Sequence, residues 1–202
     1  MNRKSCVLLL SIVAFVSAGV MEGRAQTLMT RHVREVTLTG QAKLIGHLSA
    51  TQIMQLDVVL PLRDQAGLDA FLANLRNPNS SDYERYLTPA EFTERFGPTQ
   101  KDYDAVVEYL QNHGLAIVGG SRDSMEVQVK GSVPNIKSAF HVNILTYQHP
   151  YENRVFYAPD REPTVDLAFQ LWHISGLDNY SIPHPMFVKK SEYAGGARHR
   201  SE

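Results

Sequence analysis

From Met54 to Leu62 the chain reads Met-Gln-Leu-Asp-Val-Val-Leu-Pro-Leu, apolar residues that first alternate and then run together until Pro61. That pattern is a strand with one face buried, and its neighbours in sequence limit the fold. Leu68, Phe71, Leu72 and Leu75 come next at helical spacing, and Asn77-Pro78 stops the helix because the residue before proline avoids helical backbone. Thr88-Pro89-Ala90-Glu91 then carries a cap, a first-turn proline and a glutamate three residues after the cap, which predicts a short helix through Phe96. A third helix runs from Gln100 to Asn112, with Thr99 as its cap, Tyr103, Val106, Val107 and Leu110 on one face and Gly114 as its left-handed stop.

Two β-prone runs, Leu115–Val118 and Met125–Val129, flank Gly119-Gly120-Ser121-Arg122-Asp123 and predict a hairpin. Val133-Pro134 opens a short helix with Ile136, Ala139 and Phe140, and His141–Tyr147 reads as the next strand. The order strand, helices, strand, strand, helix, strand implies an α+β fold: a ferredoxin-like antiparallel sheet with helices packed on one face. Arg154–Ala158 suggests an additional extended piece. Residues 164–175, holding Val165, Leu167, Ala168, Leu171, Trp172 and Ile174, read as a final helix ending at Gly176, with Trp172 in the core.

The two ends read differently from this middle. Arg3 and Lys4 precede an apolar run from Val7 to Val20 that ends in small residues, the pattern of a secretory signal peptide over residues 1–25. The run is shorter than the roughly 20 residues a membrane span needs. Cleavage fits after Ala18 or after Ala25, and either gives a secreted or periplasmic domain with no membrane attachment. Residues 26–52 are polar with no strong period and read as an N-terminal arm, and 53–178 is the core domain. Residues 179–202, with Pro183, Pro185, Lys189, Lys190, Gly195 and Gly196, read as a flexible linker or tail.

Charge and composition exclude several functions. Twenty Lys and Arg nearly cancel 21 Asp and Glu, so the chain lacks the basic excess of a general nucleic-acid binder. The only cysteine, Cys6, sits inside the predicted signal, so a mature chain has no disulfide framework, no thiolate zinc site and no cysteine nucleophile. No two of the eight histidines stand three or four residues apart, so no helix carries a metal pair, and no metal or other cofactor is expected. Neither G-x-S-x-G nor G-x-G-x-x-G occurs. Asp64, Asp69, Asp102 and Asp104 read as charges placed near helix starts. No catalytic residue is assigned.

Several of these stretches together resemble one family. Asp57-Val58-Val59-Leu60-Pro61-Leu62, Asn77-Pro78, Tyr83-Glu84-Arg85-Tyr86-Leu87-Thr88-Pro89-Ala90-Glu91-Phe92 and Arg95-Phe96-Gly97-Pro98 are similar to the activation domain of kumamolisin-type (sedolisin) serine-carboxyl peptidases. The resemblance continues through Val107–Leu115, Val129–Val133, Ala139-Phe140 and Ile174–Asp178, and covers about residues 36 to 180. It implies a propeptide with an α/β-sandwich fold, which helps a following catalytic domain to fold and covers its cleft until acid releases it. In that family the catalytic Ser, Glu and Asp and a calcium site belong to the domain after the propeptide, and no position here matches them.

The partner implied is therefore a sedolisin-type catalytic domain, in the same chain or in another. The tail would lie along its cleft as a substrate-like strand, with Tyr180, Ile182, Met186 and Phe187 entering subsites. Pro183 and Pro185 would hold it extended and resist cleavage.

Overall fold

The computed structural model describes residues 26–183. Their elements run β1 (Gln26–Thr27), α1 (Glu35–Leu38), β2 (Lys43–His47), β3 (Ile53–Val59), α2 (Gln65–Leu75), α3 (Pro89–Phe96) and α4 (Gln100–Asn112). They continue β4 (Ala116–Ser121), β5 (Glu126–Ser132), α5 (Val133–Phe140), β6 (Ile144–Gln148), β7 (Val155–Pro159), β8 (Thr164–Val165) and β9 (His173–Ser175).

The main sheet has the order β4-β5-β3-β9, antiparallel throughout. Counted along the chain this is second, third, first, fourth, which is the ferredoxin-like arrangement expected from the sequence, in an α+β fold. The alternation in β3 does what a half-buried strand requires, with Met54, Leu56 and Val58 turned into the core. Val127 and Val129 of β5 join them, and Val106 and Leu110 of α4 with Ile136 and Phe140 of α5 cover that face. The opposite face carries Gln55 and Lys130, directly paired across the ladder.

The helix signals act as read. Thr88 Oγ1 accepts from Glu91 N while a Glu91 carboxylate oxygen accepts from Thr88 N at 2.8 Å, a complete capping box. Those hydrogen bonds from Thr88 hold the Glu91 carboxyl below its ordinary value. Asp64 caps α2 by accepting from Gly67 N, and Thr99 caps α4 by accepting from Asp102 N. Phe71, Phe92 and Phe96 join α2 and α3 in an aromatic cluster.

Five expectations are corrected. Residues 26–52 hold β1, α1 and β2 rather than an arm, and β2 pairs with β6 in a second sheet, β2-β6-β7. The strand expected over His141–Tyr147 is β6 and belongs to that second sheet, so it is not the fourth strand of the main one. That place is taken by β9, in the stretch expected to be a helix over 164–175. The free edge of β3 explains the outcome: Asp57, Val58 and Val59 pair with Ser175, Ile174 and His173, satisfying backbone groups that a helix there would leave unpaired. Trp172 consequently turns outward and is 43% exposed, while Leu171, Ile174 and Leu177 fill the core. Finally, Gly119-Gly120 lies within β4, at a bulge, and the hairpin turns at residues 122–125. Gly120, just past the bulge, has φ +95°, and a Cβ there would stand 2.3 Å from the Glu126 carbonyl oxygen, so β4 requires glycine at this position.

Candidate functional site

The tail leaves the domain where β9 ends, and the residues around that exit are the candidate site. Gly176 turns the chain out of β9 at φ +94°, and a Cβ there would approach the Gln55 carbonyl oxygen to 2.7 Å. Leu177 then drops into the core. Asn179 docks along β7 like a short added strand: its backbone N–H donates to Tyr157 O at 3.2 Å, and its side-chain oxygen accepts from Tyr157 N at 2.7 Å.

Tyr180 is held by four groups drawn from distant parts of the chain. Its ring stacks on His149 with centroids 4.7 Å apart and meets Phe156 edge-on at 5.1 Å. The Arg154 guanidinium donates to the carbonyl oxygens of Asn179 and Tyr180. The Arg34 guanidinium lies 5.8 Å from the Tyr180 ring centroid and pairs with Asp178. Phe156, Tyr147, Ala42 and Ala158 form the small second core beneath this clamp.

His149 is itself fixed in a turn. Its Nδ1 accepts from Tyr151 N at 3.2 Å and Glu152 N at 3.0 Å, which puts the ring proton on Nε2, 3.5 Å from a Glu152 carboxylate oxygen.

Beside the clamp lies a polar cavity of about 310 Å³ lined by Arg31, His32, Arg34, His173, Ser175 and Asp178. Burial lowers the His173 ring below its ordinary value; Asp178 opposes that and Arg34 adds to it.

The residues expected to enter a protease cleft therefore separate into three groups. Tyr180 is half-buried against the domain body, Ile182 and Pro183 are exposed beyond the clamp, and Pro185, Met186 and Phe187 lie outside the described residues, as does the expected signal over 1–25. Among the described residues no three His, Cys, Asp or Glu side chains come together to hold a metal ion. Asp102 and Asp104 accept hydrogen bonds from Thr99 Oγ1 and Gln100 Nε2 inside α4. Sequence reasoning passed over Arg34, His149 and Arg154, because no spacing or motif links them to Tyr180. The only local sign was His149-Pro150, a turn ahead of β7.

Comparison with known proteins agrees with this geometry. Residues 40–180 match the family described as Pro-kumamolisin, activation domain, and the match ends at the clamped tyrosine. The chain is 30% identical over 163 residues to xanthomonalisin of Xanthomonas sp. (strain T-22), covering 78% of this chain and 20% of that protein. It is 28% identical over 143 residues to sedolisin of Pseudomonas sp. (strain 101), covering 69% of this chain and 24% of that one. The chain thus spans about a fifth to a quarter of the length of the relatives it matches.

Proposed function

For a chain that belongs to the Pro-kumamolisin activation domain family, we propose the role of a non-catalytic propeptide that chaperones and inhibits a sedolisin-type serine-carboxyl peptidase domain, in cis or in trans. The observation that carries this reading is the coincidence at Tyr180: the family match and the clamp end together, and the exposed Ile182 and Pro183 lie just past both. A clamp at the exit fixes the direction in which the tail leaves, which lowers the ordering cost of laying it in a cleft. Tyr180 is then the anchor. Ile182, Pro183, Pro185, Met186 and Phe187 are the residues that meet the protease as a substrate-like strand.

Gln55 and Lys130 are exposed on the outer face of the main sheet, and that face is the one that would meet a catalytic domain. Acid releases the complex by changing the charge of carboxylates or histidines across the interface. The domain reaches its partner outside the cytoplasm after export by residues 1–25; among the described residues no helix is long and apolar enough to cross a membrane.

Titration of residues 26–202 against an active sedolisin-type peptidase tests this, run at about pH 7 and about pH 4, on either side of the ordinary His and carboxylate values. Inhibition at the higher pH that fades at the lower is the expected result. A folded chain that inhibits at neither pH would sink the reading. A second reading is favoured by the chain's spanning only a fifth of xanthomonalisin: these residues form the N-terminal part of a secreted peptidase precursor. Catalytic Glu, Asp and Ser motifs encoded just downstream of Glu202 would decide for it. A chain that binds no peptidase in a pull-down from culture supernatant would instead be an orphan exported binding module.

A further inference from the structure

The segment from β1 to α1 straps across the C-terminal part of the domain, and one buried histidine joins the two. Gln26 and Thr27 pair with Val165 and Thr164, Met29 N donates to Leu171 O, and Thr30 Oγ1 donates to Trp172 O. The Glu162 carboxylate accepts from His32 N at 2.8 Å and Val33 N at 3.2 Å. His32 is 5% exposed, and its Nε2 accepts from the backbone N–H of Ile174, the central residue of β9, at 3.0 Å.

That bond dictates the state of the ring. An acceptor Nε2 places the single proton of a neutral imidazole on Nδ1, which is buried, has no hydrogen-bond partner and stands 3.6 Å from a Glu162 carboxylate oxygen. An imidazolium would present Nε2–H to the Ile174 N–H, donor against donor. The ring is also stacked on His173, with centroids 4.6 Å apart and planes 17° from parallel, so a charge on one opposes a charge on the other.

We propose that His32 is an acid-operated latch between the strap and β9: its neutral ring holds the Ile174 N–H, and a second proton breaks that hydrogen bond and frees the strap from the strand that leads into the tail.

Two charged or titratable groups act on His32 directly: Glu162, from the segment before β8, favours a charged ring, and His173 of β9 opposes it. Arg31 and Arg34 of the strap and Asp178, after β9, line the same cavity, where Asp178 and Arg34 act on His173. Burial foremost, then His173, lowers the His32 value from its ordinary 6.5 against the upward pull of Glu162, so the native ring stays neutral at neutral pH. Because the native value is the lower one, the latch is intact above the unfolded-state value and weakens as pH falls from there through the native value.

The latch belongs to this domain alone, and its test needs no peptidase. Amide exchange of the whole chain, corrected for intrinsic rates, compares Ile174 and Val33 with the core amides Val58 and Val129 at pH 7 and pH 5. Protection of Ile174 and Val33 should fall severalfold relative to the core amides, since at pH 5 a proton binds the histidine of the opened strap, at its ordinary value near 6.5, more readily than the latched ring. His32→Gln, which can accept the same bond without titrating, should abolish the fall. An unchanged ratio in the native chain, or the same fall in His32→Gln, overturns the proposal. Should the variant not fold, ring NMR of the native chain decides. A His32 midpoint below 6.5 that coincides with loss of Ile174 protection supports the latch, and one above 6.5 overturns it.

Discussion

Arg34 and Asp178 lie 2.9 Å apart, and their ion pair joins the residue ahead of α1 to the residue two places before Tyr180. The two partners are unequal. Arg34 is 43% exposed, whereas Asp178 is 14% exposed and also accepts from Tyr180 N at 3.0 Å. Arg34→Ala should cost no more than about 1 kcal/mol, as expected of a partly exposed pair. Asp178→Ala leaves a backbone donor unpaired as well and should cost about 1–3 kcal/mol. Urea unfolding of the two variants checks the order, and salt should lower the native stability more than that of Arg34→Ala.

Tyr180 and Ile182 stand two residues apart and should separate cleanly on mutation. Tyr180→Ala removes the ring that covers His149 and Phe156, and should cost about 2 kcal/mol. Ile182 is 46% exposed, and Ile182→Ala should change stability by less than about 0.5 kcal/mol while weakening peptidase inhibition. Thermal unfolding paired with the inhibition assay distinguishes anchor from contact. If Tyr180→Ala inhibited poorly at full stability, Tyr180 would be a cleft residue after all.

Two helix caps were legible because their signals are local: Thr88 with Glu91 and Thr99 with Asp102 lie within one turn of each other, whereas Asp64, read only as a charge near a helix start, proves to cap α2. The ferredoxin-like order was legible for the same reason, since its hairpin and helices are sequential neighbours. The fourth strand was not. Val165, Leu167, Ala168, Leu171 and Trp172 have helical spacing, and only the open edge of β3, more than a hundred residues earlier, makes Ile174 a strand residue. The clamp was hidden in the same way, because Arg34, His149, Arg154 and Tyr180 meet only once the second sheet has formed.

The inverted expectation for Trp172 gives a third prediction. Trp172 is the only tryptophan, and in the folded chain it borders a mainly apolar cavity of about 270 Å³ with Leu60, Leu62 and Met125. Native fluorescence should therefore be quenched readily by acrylamide and shift little on unfolding. Trp172→Ala should cost about 1 kcal/mol or less, whereas Phe140→Ala, in the middle of the core, should cost about 3–5 kcal/mol. A blue-shifted, unquenchable native emission would contradict the outward placement.

Asp160 supplies the last prediction, because it ties the start of β6 to the end of β7. Its carboxylate accepts from Asn143 N at 2.8 Å, Asn143 Nδ2 at 2.9 Å and Arg161 Nη2 at 2.8 Å. Burial by itself would raise its pKa, but Arg161 and the two Asn143 donors outweigh it and hold the group at about 2. The native value is below the ordinary 3.8, so this contribution is present in full above that value and is lost as pH falls from there to about 2. Asp160→Ala should cost about 1–3 kcal/mol at pH 7, at the low end because Arg161 is 63% exposed. Melting temperatures of the native chain and the variant, measured from pH 7 down to about 2.5, should differ by a constant amount until about pH 4 and converge below it. A difference that stays constant to about pH 2.5 would show that the carboxylate is not held charged. If the curves converge as expected, the β6–β7 joint is intact at the pH 5 of the latch experiment, and any opening of the strap there leaves the second sheet closed.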